Sequence, residues 1–205
     1  MSNLTRKFGV CSVGKHVACV NKKATKAHKV WEGMIQRCYH NTDKNSVYWG
    51  CEVDSRFYDF QDFAEWRVNQ VGFDTETFEI DKDILAEGRK LYSPDHCVFV
   101  PPQINSIFTG HRPSIYNTPL GVSYIKREDT YRVTLRDENG NTVTFRSKDA
   151  DECFRFFVIN KITIIKAIAL KWRDQIDVRV YEKLYNITES QILDYFKNKP
   201  QTHKQ

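Results

Sequence analysis

The stretch Phe78-Glu79-Ile80-Asp81-Lys82-Asp83-Ile84-Leu85, then Glu87-Gly88-Arg89-Lys90, then Cys97-Val98-Phe99-Val100-Pro101-Pro102, decides how the first half of this chain is read. Phe78 to Ile84 alternates apolar and polar residues and predicts a strand. Glu87-Gly88-Arg89-Lys90 predicts a hairpin turn, because glycine tolerates the left-handed backbone that such turns use. Cys97 to Val100 is β-prone and returns as the partner strand. Pro101-Pro102 ends that strand, and Gln103 to Phe108 begins a helix. The order is strand, turn, strand, helix.

Upstream, Val30, Met34, Ile35 and Cys38 recur at helical spacing and predict a helix from about Ala27 to Tyr39. Residues 1–27 read as a basic, irregular arm with one short strand at Phe8–Val13. A strand or turn at Tyr48–Val53 precedes a second helix around Phe57–Val68. Trp31, Met34, Phe60, Phe63 and Trp66 are the expected core.

Downstream, 109–119 holds two prolines and a glycine and reads as a linker. Three strand-like runs follow: Gly121–Lys126, Tyr131–Asp137 and Asn141–Arg146. Asn139-Gly140 between the last two predicts a type I′ turn. Arg132, Thr134 and Arg136 fall on one face of the middle strand, and Tyr131, Val133 and Leu135 on the other. Ser147 is the expected cap of a helix towards Asn160, with a further helical stretch reaching Trp172. Glu189–Lys197, capped by Thr188, predicts a last helix.

Length and composition exclude some classes. The 205 residues are 40% hydrophobic and 28% charged, which fits a globular chain rather than a disordered one. The longest apolar run, Ile162 to Trp172, is broken by Lys166 and Lys171, so no membrane span is expected. Met1 to Lys7 lacks an apolar secretion segment, and the expected compartment is the cytosol. Residues 1–44 carry nine Lys/Arg against two Asp/Glu, 45–100 five against twelve, and 101–205 seventeen against twelve. Basic ends flanking an acidic middle suit a protein that grips phosphates and holds a cation between the grips; solvated surface charge is the plainer account. The six cysteines include no CxxC pair. A site built from Cys38, Cys51 and Cys97 is conceivable, and small buried thiols are the favoured reading.

The ordered set Trp31-x-x-Met34-x-x-Arg37-Cys38-Tyr39, Tyr48, Gly50-Cys51-x-Val53, Phe60-x-x-Phe63-x-x-Trp66, Ile80-Asp81-Lys82-Asp83-Ile84-Leu85, Tyr92-Ser93-Pro94-x-x-Cys97-x-Phe99-Val100-Pro101 and Ile104-Asn105 resembles a family of bacteriophage HNH-type endonucleases over 28–108. That resemblance implies a ββα-metal domain holding Mg²⁺ or another divalent cation. The cation stabilises charge on the scissile phosphate while a base activates water. Position by position, Asp81 matches the acidic metal ligand, His96 falls near the second metal-ligand position, and Asn105 near the helical position that closes the motif. Lys82 stands where such proteins usually have the catalytic histidine. With an ordinary pKa of about 10.4, a lysine is not an imidazole-like base at neutral pH. Asp83 or His96 then substitutes, or the site is inactive. The expected catalytic set is Asp81, Asp83, His96 and Asn105, with Asp81 and His96 on the metal. The bland readings are exposed carboxylates at Asp81 and Asp83, a surface histidine at His96, and a helix cap at Asn105.

Three strands and a helix, with Gly121-Val122-Ser123-Tyr124 opening the first strand, resemble the Apetala-type, ethylene-response-factor-like DNA-binding domain over 119–172. The resemblance implies a sheet lying in the major groove, whose width of about 12 Å admits a β-ribbon. The implied DNA-binding residues are Lys126, Arg127, Arg132, Thr134, Arg136 and Arg146. The strongly apolar helix after Ser147 points to packing on the last helix, or to an oligomer or partner surface.

The fold class expected is therefore α+β: a degenerate ββα-metal, HNH-like domain at 28–110 behind a basic arm at 1–27, then a three-stranded antiparallel sheet packed on a helix at 119–172 and a helical extension at 173–205. Double-stranded DNA is the expected partner, in the cytoplasm of an infected bacterium, and no membrane is. Three functions stay open: an HNH-like endonuclease with an atypical site, an inactive DNA-binding regulator, and an inhibitor of a host defence complex. A homo-oligomer and a host protein partner stay open with them.

Overall fold

Asn21 and Lys22 both adopt left-handed backbone, at φ 49° and 61°, which closes a tight antiparallel pair between β1 (Cys19–Val20) and β2 (Lys23–Ala24) inside the segment expected to be irregular. This is the primed-turn geometry that matches strand twist, built here without the usual glycine. The computed structural model describes residues 9–40, 43, 44, 46, 48–86, 88–107 and 117–197. These fall into two compact units. The first holds the residues up to Pro102 together with Gln175–Asp177, and the second holds Gln103–Asp174 and the residues from Val178 onward. Helix and strand are mixed, as an α+β chain requires.

In the first unit, Thr25 caps α1 (Lys26–Tyr39), its hydroxyl accepting the His28 N–H. Trp31, Met34 and Ile35 are fully buried, and the Trp31 indole donates to the Phe57 carbonyl at 2.8 Å. After β3 (Glu52–Val53), the helix expected over Phe57–Val68 is split. Asp54 caps a 3₁₀ turn at Ser55–Phe57, and Asp59 caps α2 (Phe60–Val68). Two short-range caps compete with one continuous helix, and each satisfies N–H groups that the helix start leaves orphaned. Phe57, Phe60 and Phe63 are buried, with Trp66 packed at a tilt against Phe57 and Phe63. The strand expected at Phe8–Val13 reduces, among the described residues, to a single bridge in which Val10 bonds Tyr58 and Phe60.

β4 (Glu79–Asp81) pairs antiparallel with β6 (Val98–Val100), Asp81 standing opposite Val98. The turn between them corrects the expectation. Gly88 has the left-handed φ of 87°, but Leu91–Tyr92, which is β5, leaves to pair in parallel with β3. Residues 82–97 are thus an excursion that lends a strand to another part of the unit. Glu87 lies outside the described residues. A short helix, α3 (Pro102–Asn105), begins with proline at its first position, where the missing N–H costs nothing. Most of the expected linker (109–116) also lies outside the described residues.

In the second unit, β7 (Val122–Ile125), β8 (Thr130–Arg136) and β9 (Thr142–Ser147) form an antiparallel sheet in that order. The β8–β9 connection is not the type I′ turn expected. Asn139 keeps negative φ and only Gly140 is left-handed. The Asp137 carboxylate accepts the Asn139 and Asn141 N–H groups, and the Gly140 N–H reaches the Asp137 carbonyl at 3.0 Å. A type I turn closed by a left-handed glycine follows, the usual three-residue alternative. α4 (Ala150–Trp172) is one continuous helix, capped by Asp149 rather than Ser147. Ser147 ends β9, and its hydroxyl accepts the Asp149 N–H. Cys153, Phe157, Val158 and Ile165 of α4 are buried on the same side of the unit as Val122, Val133 and Leu135 of the sheet. α5 (Val178–Tyr185) falls in the helical extension expected over 173–205, where its own bounds were not placed, and α6 (Glu189–Lys197) stands where the sequence put it. Among the described residues, no helix is long and apolar enough to cross a membrane.

Candidate functional site

Asp81 ends β4 and is buried, 7% exposed. It is not a solvent-facing carboxylate. One carboxylate oxygen, Oδ1, accepts the N–H of Asp83 at 2.8 Å and of Ile84 at 2.7 Å. This cap turns the chain and stops the strand that the alternation would have run to Ile84. Burial pushes the Asp81 pKa up to about 6, against the pull of those two N–H groups.

Lys82, in the position of the expected base, is also buried. Its ammonium lies 2.6 Å from Asp83 Oδ1 and over the rings of Tyr48 and Tyr92, at 5.9 and 5.5 Å. Burial works against its charge, and pairing with Asp83 outweighs it, so its pKa lies above the ordinary value. Arg37 lies over the same two rings, at 5.6 and 5.5 Å. His96 sits in the turn before β6 with Nδ1 2.9 Å from the Ser93 hydroxyl. Asn105 ends α3 and belongs to the second unit, whereas Asp81, Asp83 and His96 belong to the first.

The structure therefore brings Asp81, Lys82 and Asp83 together as consecutive residues of one turn. Among the described residues, no group of three or more His, Cys, Asp or Glu side chains could hold a metal ion. Asp81 Oδ1 is committed to two backbone N–H groups.

The second unit holds a different constellation. Register places Arg132 directly opposite Arg146, Thr134 opposite Thr144, Arg136 opposite Thr142, and Ser123 of β7 opposite Arg132. All seven project from the face away from Val133 and Leu135, which are buried. Thr134, Arg136, Thr144 and Arg146 are exposed and Arg132 is partly so. Like charges directly opposite on neighbouring strands are unfavourable. Arg146 is relieved by Glu128 at 3.3 Å. Among the described residues no carboxylate pairs with Arg132 or Arg136. Lys126 and Arg127 lie in the exposed β7–β8 turn rather than on a strand. Ser123 belongs to the same face and was missed, although its alternation with Val122 signals it.

Compared with family models, with curated proteins and with solved structures, the chain matches none.

Proposed function

We propose that this chain binds double-stranded DNA with the outer face of the β7–β8–β9 sheet, and that its HNH-like first unit serves as a scaffold rather than a hydrolytic centre. The observation that carries this reading is the Arg132–Arg146 pair across β8 and β9, extended by Arg136 and flanked by Ser123, Thr134, Thr142 and Thr144. A sheet face of opposed arginines among hydroxyls is poorly arranged for its own stability and well arranged for phosphates and base edges. Arginine donates two parallel N–H bonds to phosphate or to guanine, and threonine donates one. Lys126 and Arg127 at the sheet's end extend the positive field.

Two further supports come from the sequence. Residues 119–172 resemble Apetala-type domains, which read DNA with such a sheet, and 28–108 resemble phage HNH-type endonucleases. Together they support a setting in the cytoplasm of a phage-infected bacterium. In the first unit the motif aspartate caps a turn, and the residue in the base position is a lysine held by Asp83. Both are roles in architecture.

The test is a gel-shift titration on duplex DNA across a salt series, run beside a plasmid-nicking assay with Mg²⁺, with Mn²⁺ and with EDTA. Wild type should bind with a steep salt dependence, and Arg132→Thr and Arg146→Thr should each weaken binding and lower the salt slope by about one. Plasmid should stay intact in every condition. Metal-dependent nicking lost in Asp81→Asn would overturn the scaffold reading. Absence of DNA binding at low salt would overturn the whole proposal in favour of a protein partner.

A further inference from the structure

We infer that the β1–β2 hairpin of the first unit is a second DNA contact, an auxiliary grip in which Lys22 and Lys23 take phosphates of a duplex. The ligand is that of the sheet reading, on which this rests, and the residues are the first unit's own. The hairpin holds its charges at a fixed place. Cys19 pairs with Ala24 and Val20 with Lys23, so Asn21 and Lys22 are the two central residues of the turn. Behind the pair, the Thr25 N–H donates to the Ala18 carbonyl at 2.9 Å. The Thr25 hydroxyl donates towards the Val17 and Ala18 carbonyls, at 3.1 and 3.2 Å. Thr25 is also the cap of α1, which ties the hairpin to the first turn of that helix.

The second central residue singles this turn out. A two-residue primed turn needs left-handed backbone at both central positions, and glycine is the usual choice at the second. Here Lys22 holds that position at φ 61°, where its Cβ is crowded and a glycine would not be. Strain kept in an exposed turn points to a use for the side chain. Asn21, Lys22 and Lys23 are all exposed. Residues 9–31 hold Lys15, Lys22, Lys23, Lys26 and Lys29 and no Asp or Glu. Lys15 is met by Glu65 at 3.0 Å, and Lys26 donates to the Thr75 carbonyl. Among the described residues no carboxylate pairs with Lys22, Lys23 or Lys29.

Two adjacent lysines on a rigid tip fit a ligand whose anions are closely and regularly spaced. Duplex DNA carries one charge per ~1.7 Å of helix axis, and its major groove, about 12 Å wide, admits a two-stranded ribbon. An anionic membrane also offers charge, and Val17 and Val20 are exposed, at 59% and 55%. Residues 9–30 hold no Phe, Tyr, Trp or Leu, however. Those are the side chains that seat a peripheral segment at the lipid boundary, and their absence favours DNA.

The experiment titrates one DNA duplex with full-length protein in gel shifts from about 50 to about 200 mM salt, beside denaturant melts of each variant. Lys22→Gly should bind more weakly although its unfolding midpoint is unchanged or raised, a pairing that a lysine serving only the turn would not give. Its salt slope should fall by about one, and the wild type's advantage should narrow about 3.5-fold across that salt range. Lys23→Gln, which leaves the turn residue in place, should lower the slope by about one as well. Lys15→Gln removes the same charge from a lysine that Glu65 already meets, and should leave the slope unchanged. An equal loss in Lys15→Gln would overturn the inference, since net charge alone would then account for it. Hairpin variants that bind like wild type, while Arg132→Thr/Arg146→Thr lowers the slope, would overturn it and leave the sheet reading standing. The converse pattern would overturn the sheet and leave the hairpin. Wild-type protein that gives no gel shift but pellets with phosphatidylserine vesicles, and no longer does so as Lys22→Gly, would overturn the inference in favour of a membrane.

Discussion

Replacing Asp81 with asparagine should make this protein more stable at neutral pH. The carboxylate is buried, and its pKa is pushed to about 6 from an ordinary 3.8. An acid whose folded pKa lies above its unfolded value holds its proton in the folded state after the unfolded chain has released it. Stability therefore falls as pH rises between about 4 and about 6, and the full cost is present above that window. At 1.36 kcal/mol for each pKa unit, the difference comes to ~3 kcal/mol. Asparagine keeps the side-chain oxygen that accepts the Asp83 and Ile84 N–H groups, and it has no charge to desolvate. Asp81→Asn should gain up to ~3 kcal/mol at pH 7.5 and nothing at pH 4. Asp81→Ala removes the acceptor and leaves two N–H groups without it, at a cost of ~2–4 kcal/mol. Urea unfolding followed by tryptophan fluorescence at several pH values, with each variant subtracted from wild type, reads both effects. The reasoning fails if Asp81→Asn is less stable than wild type at pH 7.5 and the difference does not change between pH 4 and 6. That pattern would mean the fold needs the ionised carboxylate, as a cation ligand would.

Gly121→Ala should lose ~2–4 kcal/mol in denaturant melts, because Gly121 is left-handed (φ 74°) and an added Cβ would lie 2.3 Å from the Phe157 ring; an unchanged midpoint would remove Gly121 from the packing argument. His28→Leu should gain ~1–2 kcal/mol, since the buried ring sits between Trp31 and Phe60 with neither nitrogen hydrogen-bonded and the Glu32 carboxylate no nearer to Nδ1 than 3.9 Å. A loss of stability there would point to a partner for the imidazole in solution. Lys161 donates to the Ile107 carbonyl, and burial pulls its pKa down to about 8. A base whose folded pKa is depressed gains stability as pH rises through that value, so wild type should gain ~2–3 kcal/mol over Lys161→Met between pH 8 and 10; a flat difference would mean the amine is solvated.

The parts of the fold written into local sequence were legible, and those made by distant pairing were not. Arg132-Val133-Thr134-Leu135-Arg136 states its two faces by alternation, and β8 is where that pattern put it. The α1 helix follows from the spacing of Val30, Met34, Ile35 and Cys38. The parallel β3–β5 pair joins residues far apart in sequence, and no turn signal announces it. The Asp81 cap was hidden for a different reason. An alternating run reads as a strand until a side chain offers the backbone a competing bond, and Asp81 offers two. The same residue looked functional because acidic residues in that position are ligands in the family it resembles. Only burial and hydrogen bonding separate a ligand from a cap, and neither is visible in residue order.

The placement of charge in the two units carries the choice between cutting and binding. Each buried charge of the motif turn is met from within the first unit. Asp81 is met by backbone N–H groups, and Lys82 by Asp83 and two tyrosine rings. A group satisfied in this way has little left to offer a substrate, and removing its partner costs stability before it costs chemistry. The arginines of the sheet stand in the opposite condition. Arg132 faces Arg146 across the strand pair, and Arg136 makes only a 3.3 Å bond to the Gly140 carbonyl among the described residues. In the proposed reading an anion laid over the sheet would relieve their mutual repulsion, and a phosphate backbone presents such anions at regular spacing. The ligand that would most stabilise this surface is thus a polyanion, and the surface able to take it lies in the second unit.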